Sequence, residues 1–247
     1  MNAYGHDTVV PFRHSADSKK KQLEKMFDKI AYRYDFLNHF LSAGIDRSWR
    51  KKAINQLKSL QPKRILDVAT GTGDFAILSY KMLLPEKVTG IDISDGMLEI
   101  GKKKITKLQL EDKIELLTGD SEAILYEDNS FDAVTVAFGV RNFENLEEGL
   151  SEIYRVLKPG GKLVVLECSR PDNKMIRAFF DFYVKKITPA LGGLISNNKD
   201  AYQYLTDSVQ KFPEKKTFIQ LLNQLAYRNA FYKTLTFGIC TIYCGEK

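Results

Sequence analysis

The stretch from Asp67 to Asp74 combines residue types that suit the binding of a nucleotide-type cofactor. The apolar run before it has strand character, Gly71 and Gly73 permit a tight turn with close backbone approach, and helical spacing resumes at Phe75. Asp92 follows the first of these glycines by about 20 positions, a distance at which a carboxylate can bind a ribose diol. The same glycine pair is also typical of an ordinary turn between a strand and a helix, so other motifs must decide.

The elements that position these residues alternate between strands and helices from residue 64 onward. Strands are predicted at 64–69, 87–92, 113–118, 131–137 and 162–168, and helices at 74–84, 95–109 and 145–157. This alternation indicates a mostly parallel sheet with helices on both faces. Ligands of such sheets bind beyond the carboxyl ends of the strands. We therefore expect residues 70–73, Asp92, Asp120 and residues 138–142 to converge at that edge.

The segments on either side are predicted to belong to the same single domain, residues 19–247. Residues 1–18 are polar and irregular, and we expect a mobile tail there. Apolar residues recur at three- and four-residue steps in residues 19–61, which predicts N-terminal helices, the last of them over residues 49–60. The aromatic-rich segment 170–212 predicts an inserted helical cap. The last elements predicted are a helix near 214–226 and strands at 230–234 and 236–244, which form an antiparallel hairpin that closes the sheet.

Composition limits the class of protein. The chain has 247 residues, of which 44% are hydrophobic, and a formal net charge of +6. No apolar run approaches the roughly 18 residues that span a bilayer, and residues 1–22 lack the apolar middle of a signal peptide, so we expect a cytoplasmic protein. The three cysteines and three histidines show no paired spacing, and neither a disulfide framework nor a metal site is expected. The positive charge favours acidic partners without choosing among lipid headgroups, nucleic acid and plain solubility.

Four motifs carry a resemblance to known families. The turn Lys158-Pro159-Gly160-Gly161, before a buried strand, resembles the class I S-adenosylmethionine-dependent methyltransferases. The run Tyr34-Asp35-Phe36-Leu37-Asn38, continued through residues 41–44 to Trp49, is similar to one signature of the ubiquinone/menaquinone biosynthesis C-methyltransferases. Residues 155–169 resemble their second signature, and residues 138–143 match the segment that they carry after the fourth strand. The resemblance covers about residue 25 to the C-terminus and implies a Rossmann-like α/β fold with a seven-stranded sheet.

Three positions depart from this family's pattern. Leu37 stands where the first signature usually has methionine, and Asp46 where it usually has histidine or glutamine. Ala137 occupies a position that is serine in some members and contributes to the cofactor site there. These departures concern single contacts.

The resemblance implies S-adenosylmethionine as the cofactor and assigns its contacts. The glycines of residues 71–73 would let the backbone approach the methionyl part, and Thr72 would supply a hydroxyl. Asp92 would accept hydrogen bonds from the ribose diol, and Asp120 and Ser121 would flank the adenine. For Asp67 two roles stay open, since its carboxylate could orient the glycine loop or bind the amino group of the cofactor.

The implied reaction moves a methyl group from the sulfonium to a ring carbon of reduced demethylmenaquinone. Ionisation of a neighbouring hydroxyl activates that carbon, which normally requires a pH near 10. Arg141 and Asn142 are the candidate catalytic residues: arginine would stabilise the oxyanion, asparagine would hold the hydroxyl, and a water bound by the pair could take the proton. The alternative is that both residues cap the next helix or form a surface ion pair.

The acceptor is a membrane-soluble polyprenyl quinol, so a peripheral contact with the inner face of the cell membrane is a further expectation. The basic entrance to the first helix, with apolar residues beneath it, could rest on anionic lipid; the alternative is a packed helix with solvated lysines. This entrance consists of Lys19, Lys20, Lys21 and Lys25. Second-rank candidates for substrate contact are Tyr34, Asp35, Asn38 and His39. The sequence does not decide whether two copies form a homodimer.

Two other enzyme classes compete with this interpretation. The glycine stretch also fits the fingerprint of a nicotinamide-dependent oxidoreductase, although no second substrate domain is evident. The basic pI suggests a nucleic-acid methyltransferase. The loop of residues 137–142 lacks both the Asn-Pro-Pro-Tyr-like sequence of amino-methylating enzymes and a cysteine nucleophile, so we expect no nucleic-acid partner.

Overall fold

A computed structural model gives the architecture of the chain. It describes residue 5 and residues 7–12, 14–42, 44–182 and 199–247, with side chains at all of these except 36–41, 179, 181–182 and 199–202. Residues 183–198, the middle of the predicted cap, lie outside the described part, as do the side chains of Asn38 and His39. No helix in the described ranges is both long and apolar enough to cross a membrane.

One seven-stranded sheet forms the centre of the molecule, as the sequence predicted. Its strands are β1 (Arg64–Val68), β2 (Lys87–Asp92), β3 (Ile114–Thr118), β4 (Phe131–Ala137), β5 (Leu157–Cys168), β6 (Arg228–Leu235) and β7 (Cys240–Glu246). Their order is β3-β2-β1-β4-β5-β7-β6. The first five strands are parallel, and β7 runs antiparallel to both β5 and β6. The interior strands are almost continuously apolar because helices cover both of their faces.

Eight helices surround the sheet in the described part of the chain. They are α1 (Lys19–Leu41), α2 (Asp46–Ile54), α3 (Asp74–Leu83), α4 (Asp95–Lys107), α5 (Leu146–Val156), α6 (Lys174–Phe182), α7 (Lys199–Lys211) and α8 (Lys216–Gln224). Buried residues of α5 and α8 form one apolar core with the sheet. Buried residues of α2, α3 and α4 form a second core on the opposite face. The predicted α/β class with helices on both faces is therefore confirmed.

Three elements differ from the prediction by more than two residues at a boundary. Strand β5 begins at Leu157 rather than at residue 162, because Leu157 pairs with Phe131 and the Gly160 N–H donates to the carbonyl of Lys247. The helix predicted over residues 49–60 begins at Asp46 and gives way to a 3₁₀ turn after Ile54. Strand β7 begins at Cys240 rather than at residue 236, because residues 236–238 form a 3₁₀ turn with Phe237 at a φ of 57°.

Part of the N-terminal segment packs on α1. Val9 and Phe12 contact the cluster of Leu23 and Met26, and the backbone N–H of Phe12 donates to the side-chain oxygen of Gln22 at 2.8 Å. The irregular sequence of residues 1–18 did not predict this packing. The mobility of that segment stays a prediction.

Candidate active site

A cleft opens at the carboxyl edge of the sheet, between the strand ends and α1. It is open to solvent, and its empty volume, with the open solvent in its mouth included, is about 650 Å³. Its walls come from α1, from the loops after β1 to β4 and from the start of α4. The lining residues are Lys20, Phe27, Tyr34, Ala69, Gly71, Asp92, Ile93, Met97, Gly119, Asp120, Ser121, Glu122, Ala137, Phe138, Gly139, Asn142, Phe143 and Glu144. The structure therefore brings together Gly71, Asp92, Asp120, Ser121 and Asn142, as expected.

Asp67 holds the turn that precedes the glycine stretch. One of its carboxylate oxygens accepts a hydrogen bond from the Thr70 hydroxyl and the other accepts one from the Thr135 hydroxyl, both at 2.6 Å. The side chain is buried, and burial raises the pKa of Asp67 to about 6, against the opposing effect of the two hydroxyls. Asp67 does not line the cleft. This geometry favours the first of the two roles considered for Asp67, orientation of the loop.

The glycine loop and Asp92 are joined directly. Gly71 has a φ of 57°, and no atom lies within 4 Å of the position where a Cβ would stand, so the backbone is open toward the cleft. Its N–H donates to one oxygen of Asp92 at 2.8 Å, and the N–H of Ser94 donates to the other at 2.9 Å. Burial raises the pKa of Asp92 to about 6, although these backbone donors oppose the rise. Asp92 is thus a fixed acceptor at the end of β2.

Thr72 and Gly73 do not reach the cleft. The Thr72 hydroxyl donates to Asp35 at 2.5 Å and accepts from the ammonium of Lys104 at 3.0 Å, on the side of the loop that faces α4. Gly73 has a φ of 77°, and a Cβ there would lie 3.3 Å from Leu116. The structure thus gives both residues a role in packing the loop and α3 against the sheet. It does not place the Thr72 hydroxyl where a ligand of the cleft would meet it.

The first turn of α1 lies across the part of the cleft near Asp120 and Ser121, where the adenine is predicted. The ammonium of Lys20 lies 2.5 Å from Asp120 and 3.3 Å from Glu122. The ammonium of Lys19 is buried and donates to the carbonyl of Phe143 at 2.9 Å. Burial lowers the pKa of Lys19 to about 8, while nearby carboxylates including Glu122 oppose this shift. The start of α1 is therefore tied to the loops after β3 and β4.

The four lysines of the predicted basic entrance are all engaged within the protein. Besides Lys19 and Lys20, Lys21 pairs with Glu24 at 2.7 Å and Lys25 pairs with Asp17 at 2.6 Å. These contacts favour a helix packed on the domain over a membrane-facing entrance of unpaired lysines.

The loop after β4 forms the wall opposite Asp92. Phe138 has a φ of 59°, and a Cβ on Gly139 would stand 2.5 Å from that of Ala69, so only glycine lets the two loops meet. Asn142 lines the cleft. Its side-chain oxygen accepts a hydrogen bond from the hydroxyl of Tyr204 in α7 at 3.0 Å.

Arg141 lies behind this wall rather than in it. Its guanidinium donates through Nη1 to Glu167 at 2.6 Å and to the carbonyl of Phe138 at 2.7 Å. Arg141 is 6% exposed and Glu167 is fully buried. Burial lowers the pKa of Arg141 and the Glu167 carboxylate raises it, with a net rise. Arg141 does not line the cleft, and its contact with a substrate oxyanion stays a prediction. The alternative of a surface ion pair is wrong, because both side chains are buried.

Sequence reasoning missed several residues of the site. Glu122 and Met97 line the cleft, and Tyr204 contacts its wall. Lys20 also lines the cleft, although the sequence suggested only a place in the basic entrance. Ser94 offered a signal, because a serine two residues after the acidic end of a strand is a typical helix N-cap, and its hydroxyl accepts the N–H of Met97 at 3.2 Å. Of the second-rank candidates, Tyr34 lines the cleft, whereas Asp35 pairs with Lys104 at 2.5 Å behind the glycine loop.

Metal ligation finds no support in the described residues, where no three His, Cys, Asp or Glu side chains are grouped to hold an ion. The site consists of a buried carboxylate, open glycine backbone, and amide and carboxyl side chains around an apolar wall.

Comparison with known proteins places the chain in a family. A demethylmenaquinone methyltransferase of Bacteroides fragilis is 48% identical over 245 residues, which cover 99% of this chain and 99% of that protein. The ubiquinone/menaquinone biosynthesis C-methyltransferase of Geotalea daltonii is 44% identical over 230 residues, covering 93% of this chain and 97% of that protein. Both relatives are therefore matched almost from end to end.

Solved structures agree on the fold. An S-adenosylmethionine-dependent methyltransferase of Thermotoga maritima has a TM-score of 0.61 at 21% identity and covers 90% of this chain and 99% of its own. The phosphoethanolamine N-methyltransferase 2 of Haemonchus contortus, solved with S-adenosylhomocysteine, has a TM-score of 0.59 at 16% identity, covering 80% of this chain and 52% of its own. The model of the ubiE/COQ5 methyltransferase family matches residues 15–247. The chain belongs to the ubiE/COQ5 methyltransferase family.

Proposed function

We propose that this methyltransferase moves a methyl group from S-adenosylmethionine to a ring carbon of demethylmenaquinol, giving menaquinol in menaquinone biosynthesis. One observation carries the proposal: the Bacteroides fragilis demethylmenaquinone methyltransferase matches 99% of the chain at 48% identity. An identity of this size over the whole length includes the cap and the N-terminal helix as well as the cofactor loops. The similarity to this relative therefore extends to the segments expected to bind the methyl acceptor as well as to the loops expected to bind the methyl donor.

The cleft suits S-adenosylmethionine as the donor. The open backbone at Gly71 leaves room for the methionyl part, and Asp92 offers carboxylate oxygens to a ribose diol. Ile93 and Met97 supply apolar wall for an adenine, with Asp120 and Ser121 at its polar edge. The cofactor, when bound, supplies a methyl group made electrophilic by its sulfonium sulfur. The protein has to hold the acceptor carbon in line with that group and exclude water.

The acceptor wall is formed by the loop after β4. Loss of a quinol hydroxyl proton to water makes the neighbouring ring carbon nucleophilic, and a hydrogen-bond donor beside that oxygen favours the ion. The ring proton at that carbon is released to water after the methyl group has been added. Asn142 is the side chain of this loop that can donate into the cleft. Arg141 acts as a positioning residue in this proposal, because its guanidinium fixes the Phe138 carbonyl and Glu167 rather than the cleft.

A polyprenyl tail makes contact with a bilayer a second part of the proposal. The lysines of α1 do not support it, but two apolar side chains at the carboxyl edge of the sheet do. Phe237, in the turn before β7, is 77% exposed, and Met175, in the first turn of α6, is 79% exposed. We expect wild-type protein to sediment with anionic lipid vesicles, and the double variant Phe237→Ser/Met175→Ser to bind them several-fold more weakly. Equal sedimentation of both would remove this support.

Transfer of labelled methyl groups tests the proposal. The protein is incubated with methyl-labelled S-adenosylmethionine and demethylmenaquinone in detergent micelles, with and without a reductant, and label is counted in the lipid extract. We expect label in the lipid only with reductant present. Asp92→Asn should lose transfer together with affinity for S-adenosylhomocysteine. Labelling of RNA instead of quinol, or calorimetric binding of NAD and not of S-adenosylhomocysteine, would overturn the assignment.

A further inference from the structure

Tyr204 connects the cap to the acceptor wall of the cleft. It lies on α7, is 3% exposed, and packs its ring with Leu23 and Met26 of α1. Its hydroxyl donates to Oδ1 of Asn142 at 3.0 Å. The sequence placed this residue in the aromatic-rich segment of the predicted cap but did not predict its contact with a loop more than sixty positions earlier.

The two contacts of the Asn142 amide fix which way it points. Its Nδ2 lies 3.5 Å from the carbonyl oxygen of Phe138, a long contact but one in which a carbonyl can only accept. The nitrogen must therefore lie on that side, and the oxygen must face Tyr204, which donates. The amide nitrogen carries two hydrogens, so the one that is not directed at Phe138 remains for a ligand of the cleft.

We infer that Tyr204 is a positioning residue that locks the Asn142 amide with its NH₂ group toward the cleft, where it donates to the quinol oxygen in its ionised form. This inference rests on the proposed function and deepens it, because it names the group that the acceptor site recognises. A hydrogen bond to an anionic oxygen is roughly twice as strong as one to a neutral oxygen. The locked amide therefore favours the reactive quinolate over the neutral quinol.

Ionisation of Tyr204 does not break this contact near neutral pH. Burial raises the pKa of Tyr204 well above its ordinary value, with Arg141 opposing the rise and Glu167 adding to it. The hydroxyl consequently remains protonated and keeps its role as donor.

A purely structural role for the hydroxyl is the alternative, and the chain contains a matched control for it. Tyr227 is also 3% exposed, and its hydroxyl donates to the carbonyl of Leu150 at 2.9 Å, away from the cleft. Tyr204→Phe and Tyr227→Phe each delete one buried hydroxyl and one hydrogen bond. Their effects on stability should therefore be similar, and only their effects on turnover should differ.

The experiment measures kcat and KM for reduced demethylmenaquinone, together with the Kd of S-adenosylhomocysteine, which reports folding. We expect Tyr204→Phe to lower kcat about tenfold, the effect of one lost hydrogen bond, with KM and Kd within about twofold of wild type because the lost contact acts in the transition state. Tyr227→Phe should keep wild-type kcat. In an Asn142→Ala background, adding Tyr204→Phe should lower kcat no further.

Three outcomes would overturn the inference. Wild-type kcat in Tyr204→Phe would show that the lock is not used. An equal fractional loss in the presence and absence of Asn142→Ala would show that Tyr204 acts through another group, and equal losses in the two phenylalanine variants would show a structural effect. Absence of methyl transfer by wild-type protein that binds S-adenosylhomocysteine would instead refute the proposed function on which the inference rests.

Discussion

The buried pair of Arg141 and Glu167 gives the sharpest test of the fold around the site. The side chains are 7% and 0% exposed, and their closest atoms are 2.6 Å apart. Removal of one partner from such a pair leaves an uncompensated buried charge and costs about 3–5 kcal/mol. The whole stability of a domain is about 5–15 kcal/mol. For a chain of this length, Arg141→Met should lower the melting temperature by roughly 6–20 °C.

Urea unfolding of four variants separates the charge effect from the packing effect. Arg141→Met and Glu167→Gln should each lose about 3–5 kcal/mol. The double variant should lose less than either alone, because no unpaired charge remains and the glutamine oxygen can still accept the N–H of Cys168, now bonded at 2.8 Å. Lys63→Met is the control: Lys63 lies 3.2 Å from Glu86, but both side chains are about 70% exposed, and its loss should cost less than about 1 kcal/mol. Additive losses in the double variant, or single losses as small as that of the control, would refute the reasoning.

Three further predictions concern pH and packing. Below pH 6 the Kd of S-adenosylhomocysteine should rise about tenfold per pH unit, because a pKa of about 6 means that Asp92 becomes protonated there; calorimetry of Asp92→Asn should show weak binding without this slope. Between about pH 4 and pH 6 the unliganded protein should lose stability as the pH rises, because the folded state keeps protons on Asp67 and Asp92 that the unfolded chain has released. The loss should reach roughly 3 kcal/mol for each of the two residues. Urea unfolding at pH 4.5 and 6.5 should show a smaller loss of stability for Asp67→Asn than for wild type. Gly139→Ala should cost about 1–3 kcal/mol and weaken S-adenosylhomocysteine binding, since its Cβ would lie 2.5 Å from that of Ala69. Gly5→Ala, whose Cβ would meet only an ordinary contact at 3.6 Å, should change neither quantity.

The fold could be predicted from local pattern because its strands are short, apolar and separated by turn residues. Every strand from β1 to β4 begins and ends within one residue of the predicted position. The start of β5, in contrast, depends on a partner remote in sequence. Strand β5 begins early because Lys247 bonds to Gly160, and no window around residue 160 contains that information.

The sequence predicted the parts of the site whose backbone conformation follows from a local motif. It did not predict which residues, remote in sequence, the side chains would contact. Gly71 and Asp92 occupy their expected places because a turn after β1 must approach the end of its neighbour β2. Thr72 and Arg141 belong to the right segments, but their side chains turn away toward Lys104 and Glu167. Strand periodicity gives no warning that the partner of Arg141 is a glutamate buried on β5, a rare place for such a residue.

The charge of the cleft is opposite to that of the chain, so the basic pI does not reflect the ligand that the cleft binds. The chain carries a net +6, yet the charged residues that line the described cleft are Asp92, Asp120, Glu122, Glu144 and a single cation, Lys20. Asp92 already accepts the N–H of Gly71, a donor that a dinucleotide pyrophosphate would need at this turn. A pyrophosphate or a phosphate backbone would enter a field of carboxylates, whereas the sulfonium of S-adenosylmethionine is attracted by it. The excess of lysine and arginine therefore does not indicate a nucleic-acid site, and the carboxylates of the cleft disfavour the pyrophosphate of a nicotinamide cofactor. The electrostatics of the cleft favour a cationic methyl donor.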